Sequence, residues 1–329
     1  MKKPNIAILG ATGVVGREIT QIVDELGIEF NSIKFLSSPK SAGTKIEFQG
    51  KEYIVEETTP DSFIGVDIVL ASAGGSTSQK YAPEIVKRGG MIIDNSSAFR
   101  MEKDVPLVIA GVNNEDLRWH KGIVSNPNCS TSQLMLVLEP LKKFGFKRIV
   151  VSTYQSVSGA GLAAINELRA DTEANLKGEK FENKCFKKPI SFNVIPQIDV
   201  FCENGYTKEE MKVTNETRKI LHLSEDVKIA CTAVRVPVFR GHSEAVDIEF
   251  DNEVSPEEVR SILGKSFGVK VIDNPNDFEY PTTRDAEYVD PVFVGRIRKS
   301  LAFDKGIALW CVADNLRIGA ALNTVRLCK

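Results

Sequence analysis

The chain opens with a short apolar run, IAIL, broken by a cluster of glycines and followed by REITQIVDEL, whose apolar residues recur at helical spacing. That order predicts strand, tight turn and helix. IKFLSS predicts a second strand, VDIVLASAGG a buried strand with a glycine turn, YAPEIVKRGG a helix with a glycine stop, and MIIDNSS a further strand. Apolar strands alternating with helices predict an α/β unit, a Rossmann-type doubly wound parallel sheet over residues 1–127.

From about residue 146 the pattern changes. RIVVSTYQSV, VKIACTAVRVPVF and EAVDIEF are longer, rich in Val, Ile and Thr, and partly alternating. They predict a largely antiparallel sheet with one covered face in an α+β domain. LAAINELRADTEANL and TKEEMKVTNETRKIL predict helices between these strands. Near the end, IALWCVADN predicts a strand and RIGAALNTVRL a helix, and these could return to the first domain. The expected division is 1–127, completed by a C-terminal helix at about 315–329, and 128–314. No repeat or low-complexity linker separates the two.

Composition narrows the classes. A chain of 329 residues suits two domains. Net charge is −2 and no long basic run occurs, which argues against a nucleic-acid binder. No apolar run approaches the roughly 20 residues of a membrane helix. Glycines and Arg17 cut short the apolar stretch after Lys2 and Lys3, so a signal peptide is not expected. The six cysteines form no C-x-x-C and no zinc-ligand spacing with histidine. A disulfide framework is not expected, and the expected compartment is reducing cytosol.

Gly10, Gly13 and Gly16 stand in GATGVVG, after a strand and at the start of a helix. A dinucleotide-phosphate loop needs that placement. Glycine lets backbone approach the pyrophosphate, and the helix start supplies N–H groups. The spacing is G-x-x-G-x-x-G, with Thr12 in the middle. The acidic residue that would bind an NAD ribose about 20 residues on is missing. Ser37, Ser38, Lys40 and Ser41 stand there instead, donors suited to a 2′-phosphate, so NADP is the expected cofactor.

Cys129 lies in SNPNCSTSQL, at the start of an apolar helical pattern. It is either a buried filler or a thiol whose pKa a helix start would lower. Of the three histidines, His120 and His222 suit surface positions. His242, in RVPVFRGHSEA beside Pro237 and Gly241, is the best base candidate. Arg235 is suited to grip a carboxylate, or is a surface-strand residue. It lies seven positions before His242, an odd number that in one unbroken strand would set the two on opposite faces. A bulge at Gly241 would bring them to one side.

GATGVVG, DNSSAFR, SNPNCST, QSVSGAG, NVIPQID, EEMK, RVPVFRGHSEA and DNLRIGAALN, in this order from residue 10 to 323, resemble the aspartate-β-semialdehyde dehydrogenase family. The resemblance implies NADPH-dependent reductive dephosphorylation of L-aspartyl-4-phosphate to aspartate semialdehyde, with release of inorganic phosphate, toward lysine, methionine and threonine. It implies a homodimer or a dimer of dimers, formed through the second domain. Cys129 would be the thioester nucleophile, His242 the acid/base and Gln155 the orienting group. Arg235 would hold the α-carboxylate and Glu209 the amino group, with Arg100, Asn128 and Lys212 on the phosphate. Thr12, Gly13, Val14, Val15, Lys40, Ser41, Ser158, Gly159 and Asn315 would contact NADP. Without the resemblance, Glu209 and Lys212 read as an i,i+3 pair on an exposed helix. The rivals are a reductase of N-acetyl-glutamyl-phosphate, which has no free amino group for Glu209, and a non-catalytic NADP-sensing regulator, which needs no Cys129 or His242.

Overall fold

A computed structural model describes residues 3–329. The chain divides into two units, the described residues up to Asn128 with Ala320–Lys329, and Cys129–Gly319.

In the first unit the apolar run becomes β1 (Asn5–Leu9) and the glycine turn leads into α1 (Val14–Glu25). β2 (Ser32–Ser37), β3 (Lys45–Phe48), β4 (Lys51–Ile54) and β5 (Glu56–Glu57) follow, then β6 (Ile68–Ala71), α2 (Gly75–Lys87), β7 (Met91–Asp94) and β8 (Ile123–Ser125). Six strands form a parallel sheet in the order β5-β2-β1-β6-β7-β8. Ile6 is in register with Ile33 on one side and Ile68 on the other. These central strands are apolar at consecutive positions because both their faces are buried. The β3–β4 hairpin is an addition that the hydrophobic pattern did not reveal. Its strands are short and half charged. Its turn, Gln49-Gly50, has positive φ at both residues, as a two-residue hairpin loop requires.

The second unit begins with α3 (Cys129–Leu138), followed by β9 (Phe146–Gln155), α4 (Leu162–Leu176), α5 (Lys208–Ile220), β10 (Lys228–Arg235) and β11 (His242–Phe250). α6 (Pro256–Leu263), β12 (Val269–Val271), α7 (Thr283–Ala286), β13 (Val292–Lys299) and β14 (Gly306–Ala313) complete it. The sheet runs β10-β9-β11-β14-β13-β12. Its three inner pairings are antiparallel and its two edge pairings parallel. Residues Ser130 to Leu138 of α3 are all buried, the state of a central helix enclosed on every side. It packs on β11, β13 and β14 and against α5.

Two expectations are corrected. β14, the IALWCVADN strand, stays in the second sheet between β11 and β13; only the chain from Ala320 onward, with α8 (Leu322–Cys328), belongs to the first unit. Arg235 and His242 do not share a strand with a bulge at Gly241. They end and begin different strands, with β9 between them.

Candidate functional site

β9 makes the centre of the second unit's site. Gln155, its last residue, is in register with Arg235 on β10 and with His242 on β11. Three polar side chains from non-adjacent sequence segments therefore stand side by side across three strands. All three are buried, His242 completely. Cys129, the first residue of α3, completes the group, with its Sγ 3.2 Å from Nε2 of His242.

The other ring nitrogen fixes the tautomer. The backbone N–H of Ser156 donates to Nδ1 of His242 at 3.1 Å. A backbone N–H only donates, so Nδ1 is the acceptor and the hydrogen of the neutral ring is assigned to Nε2, facing sulfur. Burial and then the Arg235 charge push the ring pKa down to about 3, against weaker opposing effects of Glu209 and the Gly241 carbonyl. His242 is thus a neutral imidazole that presents an N–H to Cys129.

Arg235 donates from Nη1 to the Ser156 carbonyl at 2.7 Å. Burial lowers its pKa, while the charges of Glu209 and Cys129 act to raise it. Ile195, in the NVIPQID coil, exchanges both backbone hydrogen bonds with Arg235. Above these groups the chain passes close by at Gly159. A Cβ there would lie 3.1 Å from Nη1 of Arg235 and 3.4 Å from Nε2 of His242.

Glu209 and Lys212 are on α5, which starts with a Thr207–Glu210 capping box. They are not the exposed pair that spacing alone suggests, because Glu209 is only 5% exposed. Its Oε1 accepts from Nε2 of Gln155 at 3.1 Å and its Oε2 from Nζ of Lys212 at 3.1 Å. Lys212 also donates to Asp199 at 2.9 Å. Burial alone would lower the Lys212 pKa, but Glu209 and Asp199 together hold it raised.

Ser158 and Asn315 have a shaping function that the motifs did not disclose. Oδ1 of Asn315 accepts from the Gly241 N–H at 2.9 Å and from the hydroxyls of Ser156 and Ser158 at 3.1 Å. One amide thereby ties the loop after β9 to the loop before β11, and both loops carry partners of His242. Ser156 and Asp199 went unselected in the sequence, and Gly241 was read there only as the site of a bulge. Their importance lies in where backbone and carboxylate groups fall after folding, for which residue type gives no signal.

The first unit carries the rest of the candidates. Gly10 has φ +86°, and a Cβ on it would lie 2.3 Å from the Ser72 carbonyl oxygen. A Cβ on Gly16 would lie 2.1 Å from the Gly10 oxygen. Both glycines are therefore required by close backbone contacts. Gly13 is the N-cap of α1 and makes no side-chain cap, which leaves the helix start, with Val14 and Val15, open to an anion. Thr12 bonds Ser37 at 2.8 Å, joining the loop to the end of β2. A cleft of roughly 540 Å³ opens there, lined by Gly10, Thr12, Gly13, Ser38, Ser41 and Lys80 among others. Lys40 lies on the exposed turn between two lining residues and is not itself in the lining. Lys80, on α2, is a lining cation that sequence reasoning missed. This cradle fits a dinucleotide pyrophosphate. Arg100 is buried and donates to the carbonyls of Asn126 at 2.9 Å and Asn95 at 2.7 Å. Asn128 is also buried in this unit.

Residues 5–120 match the model of the semialdehyde dehydrogenase NAD binding domain, and residues 138–318 that of the semialdehyde dehydrogenase dimerisation domain. The chain is 50% identical to an aspartate-semialdehyde dehydrogenase of Aquifex aeolicus, over 98% of this chain and 96% of that protein. It is similar to a crystal structure of aspartate semialdehyde dehydrogenase II from Vibrio cholerae complexed with ASA, with TM-score 0.96 and 42% identity, covering 100% of this chain and 98% of that one. A structure of aspartate semialdehyde dehydrogenase with NADP from Candida albicans matches with TM-score 0.77 and 25% identity, covering 99% of this chain and 98% of that one. The chain belongs to the aspartate-semialdehyde dehydrogenase family.

Proposed function

We propose that this protein catalyses the reversible, NADP-dependent conversion of L-aspartyl-4-phosphate to L-aspartate 4-semialdehyde and inorganic phosphate. The observation that carries this reading is the Cys129–His242 contact at 3.2 Å, flanked by Arg235 and Glu209. A thiolate on Cys129 attacks the acyl carbon, the carbon–oxygen bond to phosphate breaks, and an acyl thioester remains on sulfur. NADPH, when bound, supplies the hydride that reduces the thioester carbon, and the cradle of Gly10, Thr12, Gly13 and Gly16 with Ser38, Ser41 and Lys80 would hold it. The tetrahedral oxyanion then collapses, and the thiolate of Cys129 leaves with the C–S electron pair. The Nε2–H of His242 faces the sulfur, where it stabilises first the thiolate and then the oxyanion.

The planar fork of Arg235 suits the α-carboxylate. Glu209, a buried carboxylate with a fixed orientation, suits the α-ammonium group. Lys212, Arg100 and Asn128 serve the phosphate. Gln155 holds Glu209 in place. Ser158, Gly159 and Asn315 border the nicotinamide end of the cofactor, and Lys40 serves its 2′-phosphate end.

We also infer a homodimer, paired through the open face of the second sheet or assembled further as a dimer of dimers. That face exposes Val150 and Tyr154, and an apolar groove crosses it between Tyr154, Val236, Val238 and Trp310. No helix among the described residues is long and apolar enough to cross a membrane, and the inferred site of action is the cytoplasm.

The test is phosphate-dependent reduction of NADP with aspartate semialdehyde, run beside the N-acetyl-glutamate semialdehyde analogue. Turnover of the first substrate alone supports the proposal. Turnover of only the acylated analogue would move it to the sister reaction, and turnover of neither would leave a cofactor-binding protein without this chemistry.

A further inference from the structure

Two storeys of side chains join α3 to β11. Cys129 and Gln133 are four residues apart on a helix and share one of its faces; His242 and Glu244 are two apart on a strand and share one of its faces. The repeats match, at about 6 Å along a helix and about 6.7 Å along a strand. The upper storey is the Cys129–His242 contact. The lower one sets Gln133 against Glu244.

Both members of the lower storey are fully buried. Neither amide atom of Gln133 closes a hydrogen bond of normal geometry, and nor does Oε1 of Glu244, although amide and carboxyl are neighbours. Oε2 of Glu244 accepts from the Cys311 thiol at 3.3 Å. On the flanking strands the register neighbours of Glu244 are Cys311 on β14 and Thr153 on β9. His242 stands above it on β11. Cys231 on β10 feels its charge, along with those of Glu210 and Glu209 on α5. Among the described residues no cation pairs with Glu244. Burial pushes its carboxyl up to about 8, and Cys311 and Gln133 offset that only in part.

A carboxylate at this place would be an uncompensated buried charge, and it would leave Oε1 of Gln133 without a donor. The neutral acid resolves both problems. Its O–H would donate to Oε1 of Gln133, and its carbonyl oxygen would accept from Nε2–H of Gln133. The result is a two-bond ring that only the protonated form can close.

Resting on the assignment of Cys129 as nucleophile, we propose that Glu244 is a positioning residue that, as the neutral acid, clamps Gln133 and so fixes α3 in the register that sets Cys129 against His242. Nothing in this arrangement requires Glu244 to touch substrate.

The direct test is an infrared difference spectrum between the full-length protein and its Glu244→Gln variant. A protonated-carboxyl carbonyl band is expected near pH 6.5, fading as pH passes about 8. This readout involves no turnover, so it fails independently of the proposed reaction. Kinetics supplies a second arm. Glu244→Leu should lower kcat at least about tenfold while KM changes less than about twofold, because the nucleophile is misaligned and binding is spared. Glu244→Gln, which rebuilds the ring with a neutral partner, should rescue most of that loss and remove the decline of wild-type kcat above about pH 8. A carboxylate band in place of the acid band near neutral pH overturns the proposal. So does an alkaline limb that superimposes in wild type and Glu244→Gln. If Glu244→Leu does not fold, the infrared and Glu244→Gln measurements decide.

Discussion

Cys129 sits where a helix start, a histidine N–H and a buried guanidinium act on one sulfur. Cys129→Ala should therefore lower turnover by at least about a thousandfold, since the covalent step is lost, while NADP affinity in a fluorescence titration stays unchanged. Residual activity above about 1% would remove Cys129 from the role of nucleophile. Arg235 is a sharper case, because charge alone does not explain its position. Its Nη1 is committed to the Ser156 carbonyl, whose own residue's N–H holds His242. Arg235→Lys keeps the charge but cannot make that bond and grip a carboxylate with a planar fork. A fall in kcat/KM of about a hundredfold or more is expected. Near-normal steady-state constants would mean that Arg235 serves the sheet alone.

Elements explain why some of this was legible in the chain and some was not. β1, β6 and β7 announce themselves because a strand buried on both faces must be apolar throughout. The β3–β4 hairpin is silent because KIEF and KEYI each carry two charges and span only four residues. The parallel edges of the second sheet are equally silent, since pairing direction is set by the connections, through α4 and α5 between β9 and β10 and through α7 between β12 and β13, and not by the strands themselves. Cys129 and His242 stood out through local signals, a helix start and an irregular strand end. The seven-residue offset between Arg235 and His242 looked like a geometric obstacle only while both were placed on one strand. Glu244 gave no signal at all, since in EAVDIEF an inward carboxylate is indistinguishable from an outward one. The glycine loop is the best-marked element, and it yields a test. In Gly16→Ala the new Cβ would meet backbone, which no rotamer change relieves. Overpacking of this kind costs about 1–3 kcal/mol, so a lowered thermal midpoint and at least about tenfold weaker NADP binding are expected. Wild-type affinity in that variant would show that the close loop-to-helix contact is dispensable.

At the scale of the whole molecule, light scattering should give twice the 36.3 kDa chain mass, or four times if dimers pair; a fully active monomer at micromolar concentration would contradict the inferred pairing. Two buried groups also give the molecule a definite stability profile against pH. His242 has its pKa lowered from 6.5 to about 3, so between those values the unfolded chain binds more protons and stability rises with pH. Glu244 has its pKa raised from 4.5 to about 8, so between those values the folded chain binds more protons and stability falls with pH. Each contributes a slope of about 1.4 kcal/mol per pH unit, with opposite signs. From about 4.5 to 6.5 the two cancel, leaving a plateau with a rise below it and a fall above it. Glu167 and Asp199, whose pKa values are lowered, act below about 4.5 and steepen the acid side. The buried thiols of Cys231 and Cys311 act only above 9. The interval from 6.5 to about 8 therefore reads Glu244 most directly. Denaturant midpoints at fixed ionic strength should decline across that interval in the wild type and stay level in Glu244→Gln. A wild-type curve already level there would mean that Glu244 is ionised in the folded protein, and an equal decline in the variant would assign the slope to a different group.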